Sequence, residues 1–240
     1  MFWADVNSGA RIFVKYPELF SQLPRDVIAA PWHYEVEPDY VSFVAPFAKH
    51  GISQVIAPGI WCWDELTPDF LRSFANIDGF LADGRKYGAI GMINTGWTDA
   101  SQVLYRTALP GMAYGAAAAW QAESLNRARF FTDYAALLYS APAAGEVAAA
   151  LQALATAQQR LQTAVGSETA FRLWDDPLTP ARLERYTSQR QSLREIRLLA
   201  EEAQEHLARA MALNNDTYSL PSLQLIARML DYATMIHLRD

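Results

Sequence analysis

The sequence predicts an α/β fold in the first half of the chain, built from four βα units, and an α-helical bundle in the second half. Short apolar runs alternate with helical patterns over residues 1–120, and ten of the twelve glycines lie there, as expected where many turns join short elements. Residues 121–240 consist mainly of long stretches rich in Ala, Leu, Gln, Glu and Arg, which favour helix. We therefore expect two domains, residues 1–120 and residues 121–240.

The first half contains four apolar runs, each followed by turn residues and a helical pattern. The predicted strands are 1–6, 27–32, 54–58 and 89–95, and the predicted helices are 16–23, 40–50, 69–87 and 111–119. Apolar strands that alternate with helices are typical of parallel strands buried on both faces. Four units are too few for a closed eight-stranded barrel, which leaves an open doubly wound sheet or half of a barrel. No Gly-rich phosphate loop follows a predicted strand, so a nucleotide-binding sheet has no support.

Helical patterns in the second half of the sequence predict helices at 115–139, 143–165, 180–214 and 220–238. Thr179 followed by Pro180 is a typical start signal for the third of these helices. Apolar residues recur along that helix at spacings of three or seven, namely Leu183, Tyr186, Leu193, Ile196 and Leu199. This stripe predicts packing within a bundle, and the alternative is a partner or dimer surface.

Composition and charge exclude several classes of function. With 20 Lys and Arg against 26 Asp and Glu, the formal charge of −6 argues against a nucleic-acid partner. No apolar run approaches the ~20 residues of a membrane span, and no signal peptide is visible at the start. We therefore expect no membrane partner and favour a cytoplasmic location. The four histidines lack metal-ligand spacing and Cys62 is the only cysteine, so we expect no metal or cofactor.

All four predicted strands end in an aromatic residue followed closely by a carboxylate. In parallel β/α folds, ligands bind at the carboxyl ends of the strands. Indole rings cover the apolar faces of sugars, and carboxylates bind hydroxyl groups, so the pattern predicts a carbohydrate pocket. The alternative is that the tryptophans are ordinary core or rim residues and the aspartates cap loops. The residues concerned are Trp3 and Asp5; Trp32, Tyr34 and Glu35; Trp61, Trp63, Asp64 and Glu65; and Asn94, Trp97 and Asp99.

Asp64 and Glu65 are adjacent carboxylates at a predicted strand end. Such a pair can adopt unlike pKa values and divide acid and orienting roles, although acidic residues are also favoured where a helix begins. Both interpretations stay open. His33, next to Trp32, is a candidate general base or a structural loop residue.

Five segments within residues 1–125 resemble the family 20 glycoside hydrolases, the β-N-acetylhexosaminidases: FWAD, DVIAAPWHYE, VIAPGIWCWDEL, GAIGMINTGWTD and PGMAYGAAAAWQ. They are similar to strands five to eight of that family's barrel, in a bacterial branch where a helical region follows. The resemblance implies half of a (β/α)8 barrel that binds a terminal N-acetylhexosaminide. It also implies that Trp3, Trp32, Trp63 and Trp97 wall the sugar subsite, with Tyr34, Glu35 and Asp99 as candidates for hydrogen bonds to the sugar or its acetamido group.

The family hydrolyses its substrate by substrate-assisted chemistry. A Glu protonates the leaving oxygen, the 2-acetamido carbonyl attacks the anomeric carbon, and a neighbouring Asp orients that group. In the family this Asp-Glu pair follows strand four in a His-x-Gly-Gly-Asp-Glu type segment, which this sequence lacks. We therefore expect Glu65 as the acid and Asp64 as the orienting residue.

An open half-barrel leaves strand edges unpaired, so we also expect a two-fold homodimer that covers its inner face. Two alternatives to the glycosidase remain. One is a non-catalytic amino-sugar-binding protein, and the other is a truncated product without independent function.

Overall fold

The computed structural model describes residues 1–99, 104–176, 178–214 and 219–238. They form an α/β fold with a small parallel sheet, as the sequence predicts for the first half, together with a large helical part. The chain divides into two compact units. Unit 1 comprises Met1–Ile60, Arg72–Thr95 and Tyr114–Leu125, and unit 2 comprises the described residues within Trp61–Leu71, Gly96–Ala113 and Asn126–Asp240.

The sheet of unit 1 has four parallel strands in the order β1-β2-β3-β5. Their bounds are β1 Phe2–Ala4, β2 Ile28–Pro31, β3 Ser53–Ile56 and β5 Gly91–Met92. These correspond to the four predicted strands, although each is shorter than its apolar run and β3 begins one residue before it. Two further strands, β4 (Gly59–Ile60) and β6 (Thr95–Gly96), form a separate two-stranded sheet.

The two faces of the parallel sheet differ in exposure. Trp3 is in register with Ala30, and alternate residues of a strand point to opposite faces. Ala4 and Ala29 belong to a buried core cluster with Phe13, Phe20 and Phe47. On the opposite face, the Trp3 side chain is 51% exposed and Gly91 is exposed. One face of the sheet is therefore covered by helices, and the other is partly open.

The helices of unit 1 supply that covering layer. The segment between β1 and β2 forms two single-turn helices, where the sequence predicts one helix over 16–23. The α3 helix contributes Phe43, Val44 and Phe47 to the core. The bounds are α1 Ile12–Lys15, α2 Leu19–Gln22, α3 Val41–Lys49 and α4 Phe70–Lys86.

The predicted helix over 115–139 is two helices, α5 (Leu109–Trp120) and α6 (Arg127–Leu138). The guanidinium of Arg85 donates to carbonyl oxygens in the last turn of α5, at Ala118 and Ala119, and to those just after it, at Gln121 and Ala122. A cation that bonds the last carbonyls of a helix satisfies groups that have no partner within it. This cap, supplied from α4, ends α5 at a place that helix propensity alone does not indicate.

Unit 2 is dominated by three long helices, of which α10 packs against both of the others. Their bounds are α7 Ala141–Val165, α10 Arg190–Leu213 and α11 Leu220–His237. Buried alanines such as Ala150, Ala157, Ala200 and Ala203 line the facing surfaces, where small side chains allow close approach of the backbones. Of the predicted stripe, Tyr186, Leu193 and Ile196 are buried as bundle packing requires, whereas Leu183 is exposed.

The predicted helix over 180–214 is interrupted at Gln189. Shorter elements complete unit 2: a 3-10 turn at Tyr105–Ala108, α8 (Thr169–Arg172) and α9 (Pro180–Ser188), with α10 directly after Gln189. In the part of the chain that the structure describes, every helix is too short or too polar to cross a bilayer.

Candidate functional site

Three of the predicted sugar-site residues meet at the carboxyl ends of β1 and β2 in unit 1. The indole Nε1–H of Trp32 donates to Oδ1 of Asp5 over 2.8 Å, and the backbone N–H of Ala10 donates to Oδ2 over 3.2 Å. The ring of Tyr34 lies 5.2 Å from that of Trp32, tilted by 39°. Asp5 therefore fixes the orientation of the Trp32 ring, a role that the sequence analysis did not assign to it.

Gly9 makes this arrangement sterically feasible. Its φ of +55° is a backbone conformation that favours glycine. A Cβ at this position would lie 2.9 Å from Oδ2 of Asp5 and 3.0 Å from Cζ2 of Trp32. The sequence NSGA between the first two predicted elements is the only local signal for this close approach.

The segment after Trp32 is held from α4. The side chain of Asn76, which is buried, donates to the carbonyl oxygens of His33 and Glu35 and to the Tyr40 hydroxyl. Tyr40 in turn donates to the carbonyl oxygen of Glu35 over 2.7 Å, and burial raises the pKa of its phenol. These bonds fix the backbone of the loop, and sequence patterns did not single out Asn76.

Glu35 forms an ion pair with Arg72 of α4. Its carboxylate is exposed, so it stays accessible for a hydroxyl group even though it has a cationic partner. Trp3, one strand away on the open face of the sheet, presents an exposed indole. Unit 1 thus carries an indole, a phenol and two carboxylates just behind neighbouring strands, and a second indole, that of Trp3, within β1 rather than at its predicted end.

Asn94 also belongs to unit 1, and the other predicted residues lie in unit 2. The rings of Trp61 and Trp63 are 4.5 Å apart, and the Cys62 thiol donates to the carbonyl oxygen of Trp97 over 3.1 Å. Burial raises the pKa of Cys62 to about 12, so the group is a thiol at neutral pH and a poor nucleophile. The Trp97 side chain is 43% exposed, and Asp99 is exposed.

Glu65 is only 1% exposed, and its carboxylate accepts four hydrogen bonds within unit 2. Oε1 accepts from the backbone N–H of Glu168 over 3.1 Å. Oε2 accepts from the backbone N–H and hydroxyl of Thr169 over 3.1 and 2.6 Å and from Nε2 of Gln158 over 2.8 Å. Four donors directed at two oxygens suit an ionised carboxylate, whereas a general acid must hold a proton beside its substrate. The contacts therefore favour an anchoring role for Glu65 over the predicted proton donation.

Asp64 differs from its neighbour in both exposure and electrostatics. Its side chain is partly exposed, and its backbone carbonyl oxygen accepts from the N–H of Ala170 over 2.9 Å. Burial, followed by the negative charges of Asp99, Glu168 and Glu65, raises the pKa of its carboxyl group. These surroundings favour the protonated form of Asp64 compared with an ordinary aspartate.

The structure places the predicted residues in two groups, one within each unit. Asp5, Trp32 and Tyr34 are in contact in unit 1, and Trp61 and Trp63 are in contact in unit 2. Within the described ranges, no cluster of three or more His, Cys, Asp or Glu side chains is arranged to hold a metal ion.

Comparison with known proteins gives no family for this chain. No protein-family model matches the sequence, and no curated protein matches it at a significant level.

Proposed function

We propose that this chain binds a terminal N-acetylhexosamine at the carboxyl ends of its parallel strands. The observation that carries the proposal is the ordered group of Asp5, Trp32 and Tyr34, one strand away from the exposed indole of Trp3. Flat aromatic rings suit the apolar face of a pyranose, and nearby carboxylates suit its hydroxyl groups. The resemblance to family 20 glycoside hydrolases supplies the amino-sugar specificity.

The proposed architecture is half of a (β/α)8 barrel. In a doubly wound sheet, helices cover both faces, whereas the face of this sheet that carries Trp3 and Gly91 is partly open. In a barrel, that face is the interior. The difference in exposure between the two faces supports the half-barrel over the open doubly wound alternative.

Isothermal titration with N-acetylglucosamine tests the binding proposal. We expect saturable binding that Trp3→Ala weakens about two- to tenfold, since an aromatic contact contributes about 0.5–1.5 kcal/mol beyond its buried area. Trp120→Ala is the matched control, because that indole is 92% exposed and lies at the end of α5, away from the strand ends. Absence of saturation, or equal weakening by both variants, would contradict the proposal.

A second candidate function is hydrolysis of a β-N-acetylhexosaminide, and the raised pKa of Asp64 favours it. In this hypothesis Asp64 holds the proton that the leaving oxygen receives, while Glu65 supports the fold. A chromogenic N-acetyl-β-glucosaminide is the probe. We expect Asp64→Asn to abolish turnover, and turnover that survives in Asp64→Asn but is lost in a folded Glu65→Gln would return the acid role to Glu65.

We further propose a two-fold dimer through the open half-barrel. Strands β1 and β5 are the edges of the parallel sheet as the structure describes it, and unpaired edges with an open apolar face favour self-association. Sedimentation equilibrium should give about twice the 26.8 kDa chain mass. A monomer at all concentrations would exclude this assembly and leave sugar binding to the single chain.

A further inference from the structure

The hydroxyl group of Ser8 has two partners that compete for its single proton. Ser8 Oγ lies 2.7 Å from the carbonyl oxygen of Trp32, to which it donates, and 2.9 Å from Nδ1 of His33. Ser8 is buried, so water does not readily replace either contact. If the hydroxyl donates to the carbonyl, Nδ1 of His33 must carry a proton and donate to Ser8.

The second ring nitrogen of His33, Nε2, must also carry a proton. Nε2 lies 2.9 Å from Oε1 of Glu37, and a carboxylate only accepts hydrogen bonds. Both ring nitrogens must therefore be protonated for all three contacts to form at once. Only the imidazolium form of His33 allows all three hydrogen bonds at once. Its ring stacks on that of Phe43 at a centroid distance of 4.5 Å.

Neutral His33 must give up one of the three hydrogen bonds. If it keeps the Nε2 proton for Glu37, the Ser8 hydroxyl turns to Nδ1 and the Trp32 carbonyl loses its donor. If it keeps the Nδ1 proton, an Nε2 lone pair faces the Glu37 carboxylate. The surrounding elements carry other ionisable groups, namely Tyr34 and Asp39 of the same loop, Asp5 on the β1 loop, Glu35 paired with Arg72 of α4, Asp83 of α4, which bonds the Tyr40 amide, and Tyr40 itself, whose ring lies 6.3 Å from that of His33.

Trp32 connects the hydrogen bonds of Ser8, His33 and Glu37 to the candidate site. Its indole is held by Asp5, and its carbonyl oxygen is held by Ser8. We propose that Ser8, His33 and Glu37 form a proton-dependent positioning device for Trp32. This device fixes the orientation of the indole ring completely only while His33 is charged, because only then do all three hydrogen bonds form. Histidine is the side chain that ordinarily changes charge between pH 5 and 8. The inference rests on the proposed function, because it assigns Trp32 to the sugar subsite.

The first test needs no sugar. The indole N–H resonance of Trp32, assigned with Trp32→Phe, is followed by NMR from pH 5 to 8.5 alongside the His33 ring signals. We expect the Trp32 resonance to shift with the same midpoint as the His33 ring. In Ser8→Ala, His33 should still titrate while the Trp32 resonance no longer follows it. The proposal would be overturned if the Trp32 resonance of the parent did not shift with the midpoint of the His33 ring, or if it shifted with that midpoint equally in Ser8→Ala.

His33→Asn is the informative variant at the histidine. An Asn side chain can donate its amide N–H to Ser8 at every pH, so it imitates the charged ring at Nδ1 without titrating. We expect the Trp32 resonance of His33→Asn to stay at its low-pH position throughout. The matched control is His50→Gln, which removes an exposed histidine stacked on Phe20 and should leave the titration unchanged.

The second test measures the Kd for N-acetylglucosamine across the same pH range. Loss of one hydrogen bond of ordinary strength corresponds to about a two- to tenfold change in Kd, so binding should weaken by that factor as His33 loses its proton. His33→Asn should remove the pH dependence. Sugar that never binds while Trp32 still follows His33 would refute the proposed function and leave the positioning device intact. Binding with a pH profile unchanged in His33→Asn would refute the device alone.

Discussion

Asp5 in unit 1 and Glu65 in unit 2 are both carboxylates close behind a strand, yet they serve different purposes. Asp5 is partly exposed and bonds to groups of its own neighbourhood, the Trp32 indole and the Ala10 amide. Glu65 is buried and bonds to groups about a hundred positions later in the chain. The comparison shows that a position near a strand end does not by itself make a carboxylate available to a ligand.

The difference follows from how the two units use polar groups. In unit 1, the partners of Asp5 and Glu35 leave part of each side chain in solvent, as a binding surface requires. In unit 2, the carboxylate of Glu65 replaces water completely with protein donors, and it thereby fastens the start of α8 to the loop at 61–69. A buried polar group without hydrogen bonds lowers stability, so the four bonds to Glu65 favour a structural role for this carboxylate over a chemical one.

The largest effect that we expect comes from Glu65→Ala. Removal of the carboxylate leaves the amides of Glu168 and Thr169 and the Thr169 hydroxyl without their acceptor, at a cost of about 3–4 kcal/mol in the free energy of unfolding. Urea unfolding followed by circular dichroism measures the loss. Glu168→Gln is the control, because that carboxylate is exposed and pairs with Arg172, so it should cost about 0.5 kcal/mol or less. Equal stability of the two variants would place Glu65 outside the core network.

A second prediction concerns His237, a buried polar group of unit 2 that contrasts with Glu65. It is 4% exposed, and neither ring nitrogen has a hydrogen-bond partner among the described residues. Burial, with a contribution from the charge of Arg182, lowers the pKa of His237 to about 4 from an ordinary value of 6.5. Because the folded pKa is depressed, this contribution to stability is complete above pH 6.5 and is lost as the pH falls towards 4.

Between pH 7 and 4.5, we expect His237 to account for a loss of about 2–3 kcal/mol in the free energy of unfolding. Urea unfolding at a series of pH values measures it. His237→Leu keeps an apolar side chain against Tyr186, the ring that His237 contacts at 4.3 Å, and should remove this part of the acid sensitivity. An identical pH profile in the variant would show that His237 is not buried in its neutral form.

The smallest effect, and the sharpest test of the unit 1 geometry, is Gly9→Ala measured against Gly51→Ala. Both glycines have a positive φ, +55° and +67°, so both substitutions carry a similar backbone cost. A Cβ at Gly51 has nothing within 4 Å, whereas one at Gly9 meets Asp5 and Trp32. We expect Gly9→Ala to lose about 1–2 kcal/mol more than Gly51→Ala in thermal unfolding. Only Gly9→Ala should also weaken sugar binding, and matching results would mean that Asp5 and Trp32 are not held as described.

Local pattern predicts the strands and the long helices well, because both depend on periodicity and on turn residues. The apolar runs contain β1, β2 and β5 and overlap most of β3, and the predicted helices at 143–165 and 220–238 correspond closely to α7 and α11. The break after Trp120 was not predictable in this way, since it depends on the guanidinium of Arg85, thirty-five positions earlier.

The candidate site was predictable in its residue types and not in their roles. The aromatic and acidic residues at the strand ends indicate where a ligand would bind, and Trp32 and Tyr34 do lie together there. The indole partner of Asp5, the donors around Glu65 and the double demand on the Ser8 proton all arise from contacts between residues distant in sequence. Such contacts exist only in the folded chain, so no local pattern reports them.

The most direct test of the central claim is an NMR titration of the tryptophan indole resonances with N-acetylglucosamine. Sugar binding at this site predicts saturable shifts for Trp3 and Trp32 with one common Kd, and no shift for Trp120 or for Trp174 of unit 2, both of which are largely exposed. Shifts of the exposed control tryptophans that match those of Trp3 and Trp32, or no saturable shift at all, would contradict sugar binding at the strand ends.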